Sequence, residues 1–93
     1  MIREYQKVEK GSKEVLSVNY HKAILDRVLT GLNLRRLRLT HNLTHEELAD
    51  LLQLKSPRVI YDWESGIKFP NVENLFNLAL IFKMKMEDLL VME

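Results

Sequence analysis

The chain has 93 residues, 46% of them hydrophobic and 29% charged, a formal net charge of +1 and no cysteine. This length and composition predict one soluble globular domain, and the lack of cysteine excludes disulfides and thiolate metal sites. No apolar run approaches the roughly 18–20 residues that a membrane span needs, and the polar N-terminal stretch lacks the apolar segment of a secretory signal.

Residues 1–25 are predicted to form a polar, lysine-rich N-terminal extension, separate from a domain over residues 26–93. The first dozen residues are expected to be a mobile tail. Leu16, Val18 and Tyr20 alternate as they would in a short strand, and such a strand would need to pair with a second copy of the chain. The tail interpretation is favoured.

The first predicted helix begins after Asp26, a good N-cap residue, and continues to about His41. Gly31 lies inside it, where glycine costs roughly 1 kcal/mol relative to alanine. We interpret this glycine as a site of close packing against another helix. Three apolar residues are expected on the inner face: Val28, Leu34 and Leu37.

A second helix is predicted from the capping box formed by Thr44 and Glu47, in which each side chain bonds to the backbone N–H of the other residue. Residues 53–55 form the turn that follows. The apolar stripe of this helix is predicted to consist of Leu48, Leu51 and Leu52.

The third helix is predicted to begin with Ser56 as its cap and Pro57 at its first position, where a missing N–H costs nothing. Gly66 ends it, because glycine adopts a positive φ readily. Ile60 and Trp63 are three residues apart and are expected to face the core. The residues expected outside are Arg58, Tyr61, Asp62 and Val59.

A fourth helix is predicted from its cap Asn71 to about Phe82, and a last turn or two over residues 86–91. The inner positions of the fourth helix are predicted as Val72, Leu75, Leu78, Ala79 and Phe82. The chain is thus expected to be all-α with five helices.

Several short motifs follow one another at a characteristic spacing. They are LTHEELA over residues 43–49, Ile60, WESG over residues 63–66, Phe69-Pro70, the stretch 71–80 and MEDLL over residues 86–90. In this order the chain resembles the Cro/repressor-type (XRE-like) helix-turn-helix family. The resemblance covers about residues 26–91 and implies a five-helix, lambda-repressor-like domain. Two departures are a connection one residue longer, around residues 55–57, and Gln53 in place of the usual small residue.

The resemblance implies that residues 57–64 form a recognition helix whose N-terminal side chains enter the major groove. Arg58 is the best candidate base reader, because a guanidinium pairs bidentately with guanine. Asp62 would accept from cytosine or orient Arg58. The whole predicted DNA-binding set is Arg58, Asp62, Tyr61, Val59, Ser56, Pro57, His45, Thr44, Lys55, Lys68 and Arg35.

The remaining roles implied by the family concern the DNA backbone and the fold. Tyr61 would lie against a phosphate or sugar, and Lys68 matches a backbone-contacting position. His45 and the neighbouring backbone N–H groups would hold a phosphate. Arg38 and Glu64 match an ion pair that ties the first helix to the recognition helix.

The predicted function is a sequence-specific DNA-binding transcriptional regulator of the Cro/repressor type, in the cytoplasm of a bacterial or phage-like source. It would bind double-stranded DNA as a homodimer. The two copies would contact each other through residues 82–92 or, alternatively, through residues 15–20. The alternative is the same fold used as a protein-interaction module, such as an antitoxin-like protein or an adaptor, because residues 46–66 carry five acids against two bases. No enzyme activity, cofactor, metal, small-molecule ligand or membrane partner is predicted.

Overall fold

The computed structural model describes residues 19–93. The described residues form four α-helices and a short 3-10 helix: α1 Arg27–Thr40, α2 His45–Leu51, α3 Arg58–Ser65, α4 Val72–Phe82 and the 3-10 helix Met86–Leu89. The all-α prediction is confirmed, but the predicted fifth α-helix is only this four-residue turn. The predicted strand over residues 15–20 lies outside the described residues except for Asn19 and Tyr20, which have no regular structure.

After the 3-10 turn the chain folds back along the start of α1. Asp26 N donates to Val91 O at 2.8 Å, and Glu93 N donates to Ile24 O at 2.8 Å. Thr30, fully buried, accepts from Val91 N through its hydroxyl at 2.9 Å. The C-terminal residues are therefore part of the packed domain. In the described part of the chain, no helix combines the length and apolarity that crossing a membrane requires.

The predicted starts of α1 and α2 are borne out by hydrogen bonds. Asp26 accepts from Leu29 N at 2.9 Å, and the capping box of Thr44 and Glu47 is complete, with bonds of 2.9 and 3.0 Å. The hydroxyl of Ser56 accepts from the backbone N–H of Arg58 at 3.1 Å. The N-cap of α3 is Pro57 and not the predicted Ser56, so α3 begins and ends one residue later than the predicted 57–64.

The core lies between the four helices. Its buried hydrophobic residues are Leu34, Leu37, Leu48, Ala49, Ile60, Trp63, Leu75, Leu78, Ala79, Phe82 and Leu89. Three predicted core residues are instead exposed: Val28 by 59%, Leu51 by 56% and Val72 by 72%. Val28 and Leu51 lie about 100° or more around their helices from the centre of the buried positions. Val72 is the first residue of α4, and its neighbours Asn71 and Glu73 are exposed as well.

Helix α1 crosses α3 at Gly31, as predicted. A Cβ atom at Gly31 would lie 2.6 Å from the backbone oxygens of both Trp63 and Glu64, a separation that no side chain tolerates. The absence of a side chain therefore sets how closely α1 and α3 approach. This contact fixes α3 from behind and leaves its other side free.

The turn between α2 and α3 contains Gln53 in the left-handed region, with φ of 58°. A left-handed residue with a Cβ costs roughly 1–2 kcal/mol, whereas glycine adopts this conformation readily. Glycine also gains freedom in the unfolded chain, which offsets part of the relieved strain. We therefore expect Gln53→Gly to raise the free energy of unfolding by a net amount of about 0.5–1 kcal/mol. Urea denaturation measures this change.

Lys55→Gly is the matched control for that substitution. Lys55 lies in the same turn and is exposed, but its φ is not positive. Its replacement should lower stability, since only the entropy term applies. If both substitutions changed stability in the same direction, strain at Gln53 would not be the cause.

Candidate nucleic-acid interface

Helix α3 has one face in the core and one face toward solvent. Ile60 and Trp63 are 1% and 5% exposed and anchor the inner face. Arg58, Tyr61 and Ser65 follow one another at helical spacing on the outer face, and all three are exposed. The backbone of α3 is thus held firmly while its outer side chains remain accessible.

An open groove of about 560 Å³ runs along this outer face, and we call it the α3 groove. The residues that line it are Ser56, Pro57, Arg58, Tyr61, Asp62, Ser65 and Ile67. Five of them belong to the predicted DNA-binding set. The structure therefore places these five around one accessible surface.

Arg58 is the most accessible of the predicted base readers, with its side chain 80% exposed. Its Nε lies 3.5 Å from Asp62 Oδ1, and Lys68 Nζ lies 3.9 Å from Asp62 Oδ2. Asp62 is only 13% exposed and lies between the two cations. Exposed ion pairs of this length are weak, about 0–1 kcal/mol, so Arg58 and Lys68 are oriented by Asp62 but can leave it for a stronger anion.

Behind α3 lies a buried charge network. Arg38 Nε donates to Glu64 Oε2 at 2.6 Å, and Arg38 Nη2 donates to Glu64 Oε1 at 3.2 Å. The two side chains are 5% and 7% exposed. Arg38 also donates to the carbonyl oxygen of Leu43 at 2.9 Å. The bidentate pair with Glu64 joins α1 to α3. The bond to Leu43 joins α1 to the residues just before α2.

His45 belongs to the same network. Its Nε2 lies 3.0 Å from Glu64 Oε1, and because a carboxylate only accepts hydrogen bonds, this nitrogen carries the proton. The imidazole also stacks on the ring of Tyr61, with centroids 3.7 Å apart and an angle of 14°. The Nε2 nitrogen of His45 is thus engaged inside the protein, and the phosphate contact expected of His45 and the neighbouring backbone N–H groups stays a prediction.

A second groove, of about 430 Å³, adjoins the stacked rings, and we call it the Tyr61 groove. It is lined by Leu32, Arg35, His45, Tyr61, Glu64 and Ser65. Tyr61 and Ser65 also line the α3 groove, so the two grooves are neighbours. The structure therefore brings Arg35 of α1 to the same side of the molecule as the recognition helix.

Four members of the predicted set lie outside both grooves. One of them, Lys68, is exposed and lies beside Asp62. The hydroxyl of Thr44 is used in the capping box. Val59 is half-buried and packs against the core, contrary to the prediction that it stands outside. Lys55 is exposed in the turn before α3.

Sequence reasoning missed three residues that line the grooves: Leu32, Ser65 and Ile67. Ser65 lies seven residues after Arg58, so helical spacing alone would have placed it on the outer face. Leu32 lies on α1, and it is 49% exposed. Ile67 follows the helix-ending Gly66, and no sequence pattern indicates its position.

The acidic stretch over residues 46–66 is less negative at this surface than its composition indicates. Glu64 is buried against Arg38, and Asp62 is held by two cations. Glu46 and Asp50 are exposed on α2. Two of the five acids are therefore already paired, and neither leaves an uncompensated charge on the outer face of α3.

The fold and the arrangement of α2 and α3 define a helix-turn-helix protein. A family model described as helix-turn-helix matches residues 34–89, more than half of the chain. The chain therefore belongs to this helix-turn-helix family, of the XRE type.

Similar proteins carry the same domain. The chain is 40% identical over 57 residues to the HTH-type transcriptional activator BcrR of Enterococcus faecalis, a match that covers 61% of this chain and 28% of that protein. The chain thus spans less than a third of the length of this relative.

Among solved structures, the restriction-modification controller protein C.AhdI from Aeromonas hydrophila is 30% identical, with a TM-score of 0.63, over 69% of this chain and 96% of that chain. A transcriptional regulator from Listeria innocua is 31% identical, with a TM-score of 0.62, over 66% of this chain and 56% of that chain. The clp gene regulator ClgR from C. glutamicum is 27% identical, with a TM-score of 0.59, over 68% of this chain and 80% of that chain.

Proposed function

We propose that this chain is a sequence-specific DNA-binding transcriptional regulator that places α3 in the major groove. The observation that carries the proposal is the open outer face of α3, led by the exposed Arg58 and backed by a rigid, buried contact with α1. A helix presented in this way fits the width of the major groove of B-DNA. Relatives named as a transcriptional activator and as regulators support it.

Arg58 is the proposed base reader, with Asp62 as the group that orients it in the free protein. On DNA, Arg58 exchanges the weak pair with Asp62 for two hydrogen bonds to guanine O6 and N7. Tyr61 is held upright by the His45 ring and contacts a phosphate or sugar. Lys68 and Arg35 flank α3 and neutralise phosphates, which set the position of the domain but carry no sequence information.

The domain over residues 26–93 is proposed to act as a homodimer in the cytoplasm, with residues 1–25 as an extension. Two copies related by a two-fold axis would place two α3 helices in successive major grooves, one helical turn apart. Dimerisation doubles the number of contacts that one small domain can make. This requires an interface that leaves the outer face of α3 open.

The alternative function, a protein-interaction module, is favoured by a different surface. The exposed Glu46 and Asp50 on α2 give that helix an acidic outer face suited to a basic partner. Because Asp62 and Glu64 are paired, this acidic face is on α2 and does not continue across α3. A protein that bound a basic partner tightly, and no DNA at low salt, would have this second function.

The two proposed kinds of DNA contact are separated by a pair of substitutions. Arg58→Ala is expected to lose about 1–3 kcal/mol of discrimination between preferred and unrelated DNA. Lys68→Ala is expected to weaken binding to all sequences alike and to reduce the salt slope by about one. Binding titrations with a selected and a scrambled duplex, each at two salt concentrations, measure both effects.

Lys85→Ala is the control, because Lys85 is an exposed base just before the 3-10 helix and lines neither groove. Equal losses on both duplexes from Arg58→Ala and Lys68→Ala would defeat the assignment of reader and phosphate contact. Loss of salt dependence from Lys85→Ala would show that the DNA surface lies on another side of the domain.

A further inference from the structure

The outer face of α4 carries three large apolar side chains at intervals of four residues. Val72, Phe76 and Leu80 are 72%, 55% and 60% exposed, although the other side of the helix packs into the core. Residues four apart lie one above another on a helix, so the three form a continuous strip that we call the α4 stripe. A contiguous apolar patch on a small domain is typical of a protein–protein contact.

The α4 stripe is separate from the proposed DNA surface. In the described part of the chain, none of its three residues lines the α3 groove or the Tyr61 groove. The stripe can therefore be covered while α3 remains open. The surface predicted from sequence, residues 82–92, is less suitable, because Phe82 and Leu89 are buried in the core of the same molecule.

We propose that the α4 stripe binds the α4 stripe of a second copy of this chain, with the two helices antiparallel and a two-fold axis at Phe76. The inference deepens the proposed function and rests on it in one respect, since a two-fold DNA site calls for a two-fold protein. In this arrangement Val72 of each copy meets Leu80 of the other, and Phe76 meets Phe76. A two-fold interface needs such a self-complementary surface.

The charges at the ends of the stripe favour the same arrangement. Glu73 lies in the first turn of α4 and Lys83 directly after its last residue, and both are exposed. Antiparallel pairing brings Lys83 of one copy toward Glu73 of the other at both ends of the contact. Parallel pairing would set like charges against each other, which is unfavourable.

The size of the stripe predicts a weak dimer. Three side chains that are each more than half exposed offer about 300 Å² of apolar surface per copy, well below the roughly 800 Å² per partner of a standard interface. Leu51, which is 56% exposed and lines a pocket with Glu73 of α4, would add to the contact. We therefore expect a dissociation constant on the order of micromolar in the absence of DNA.

Sedimentation equilibrium of the full chain without DNA tests the proposal. The wild-type chain is expected to dimerise, and Phe76→Asp is expected to raise the dissociation constant about 30-fold or more, as loss of a central aromatic residue does. Ile67→Asp is the matched control, since Ile67 is 69% exposed and lies off the stripe, and it should leave the constant unchanged. Fluorescence of Trp63, the single tryptophan, reports that each variant is folded.

Cross-linking tests the two-fold axis directly. The chain has no cysteine, so Phe76→Cys introduces one thiol per copy. Antiparallel helices about 8–10 Å apart bring the two Cα atoms at the axis within disulfide range, about 4.4–6.8 Å. Phe76→Cys is expected to form a covalent dimer under mild oxidation at micromolar concentration, and Ile67→Cys is not.

Several results would overturn the proposal: a wild-type chain that stays monomeric at 100-fold above the expected constant, a Phe76→Asp chain that dimerises as before, or equal cross-linking of both cysteine variants. Binding to a duplex that carries one half-site is measured separately. If that binding fails while Phe76 still controls dimerisation, the proposed function fails and this interface stands. If the chain binds the half-site but does not dimerise, the proposed interface fails and the proposed function stands.

Discussion

Replacing Glu64 with alanine is expected to lower the free energy of unfolding by about 3–5 kcal/mol. The substitution leaves the guanidinium of Arg38, now 5% exposed, buried without its carboxylate, and it removes the acceptor of His45. A domain of this size has about 5–15 kcal/mol of total stability, so this loss would be a large fraction of the total. Urea denaturation followed by Trp63 fluorescence measures the loss.

Two further variants show that the loss comes from the unpaired charge. Glu46→Ala removes an exposed acid from α2 and is expected to change stability by less than about 0.5 kcal/mol. Arg38→Met combined with Glu64→Leu removes both charges together and should recover most of the stability. A loss below about 1 kcal/mol from Glu64→Ala would mean that solvent reaches Arg38 and that the pair does not hold α1 against α3.

Gly31→Ala is expected to destabilise the protein by about 2–3 kcal/mol, although alanine is the better helix former by about 1 kcal/mol. The new Cβ would lie 2.6 Å from two backbone oxygens of α3, and backbone atoms cannot move aside as a flexible side chain can. Helices α1 and α3 would have to separate. Urea denaturation measures the stability, and titration of DNA measures whether the shifted α3 still binds.

The neighbouring residue supplies the control for helix propensity. Leu32 lies next in α1 and is 49% exposed. At this exposed position the Leu32→Ala variant should be more stable than the Leu32→Gly variant by about 1 kcal/mol, because alanine is the better helix former. At residue 31 the order should be reversed. The same order at both positions would show that the close approach of α1 and α3 relaxes without cost.

The sequence was informative wherever a structural feature depends on a few neighbouring residues. The caps at Asp26 and Thr44 were correctly predicted, because capping uses side chains within three residues of the backbone groups they satisfy. Ile60 and Trp63 were correctly placed in the core, since helical spacing fixes which residues share a face. The motif order also sufficed to predict the family that the comparison shows.

Errors arose where a helix offers more apolar residues than its inner face can hold. Helix α1 carries leucine or valine at many positions, and Val28 was assigned to the core although Thr30 and Gly31 occupy the buried side. A local pattern gives the period of a helix, but the packing partner decides which sector is buried. The same ambiguity left the stripe on α4 unnoticed.

What the sequence by itself determined is the four α-helices, the caps of α1, α2 and α4 and the helix-turn-helix pattern, because each depends on residues close together in the chain. The tertiary structure decided how the polar residues of the site are used. Arg38, His45 and Glu64 form one network across three helices, so Glu64, an acid from a negative stretch, is a buried support, and the ring of His45 stacks on Tyr61. Such contacts join residues 19 and 26 positions apart, and only the packing of the helices brings them together.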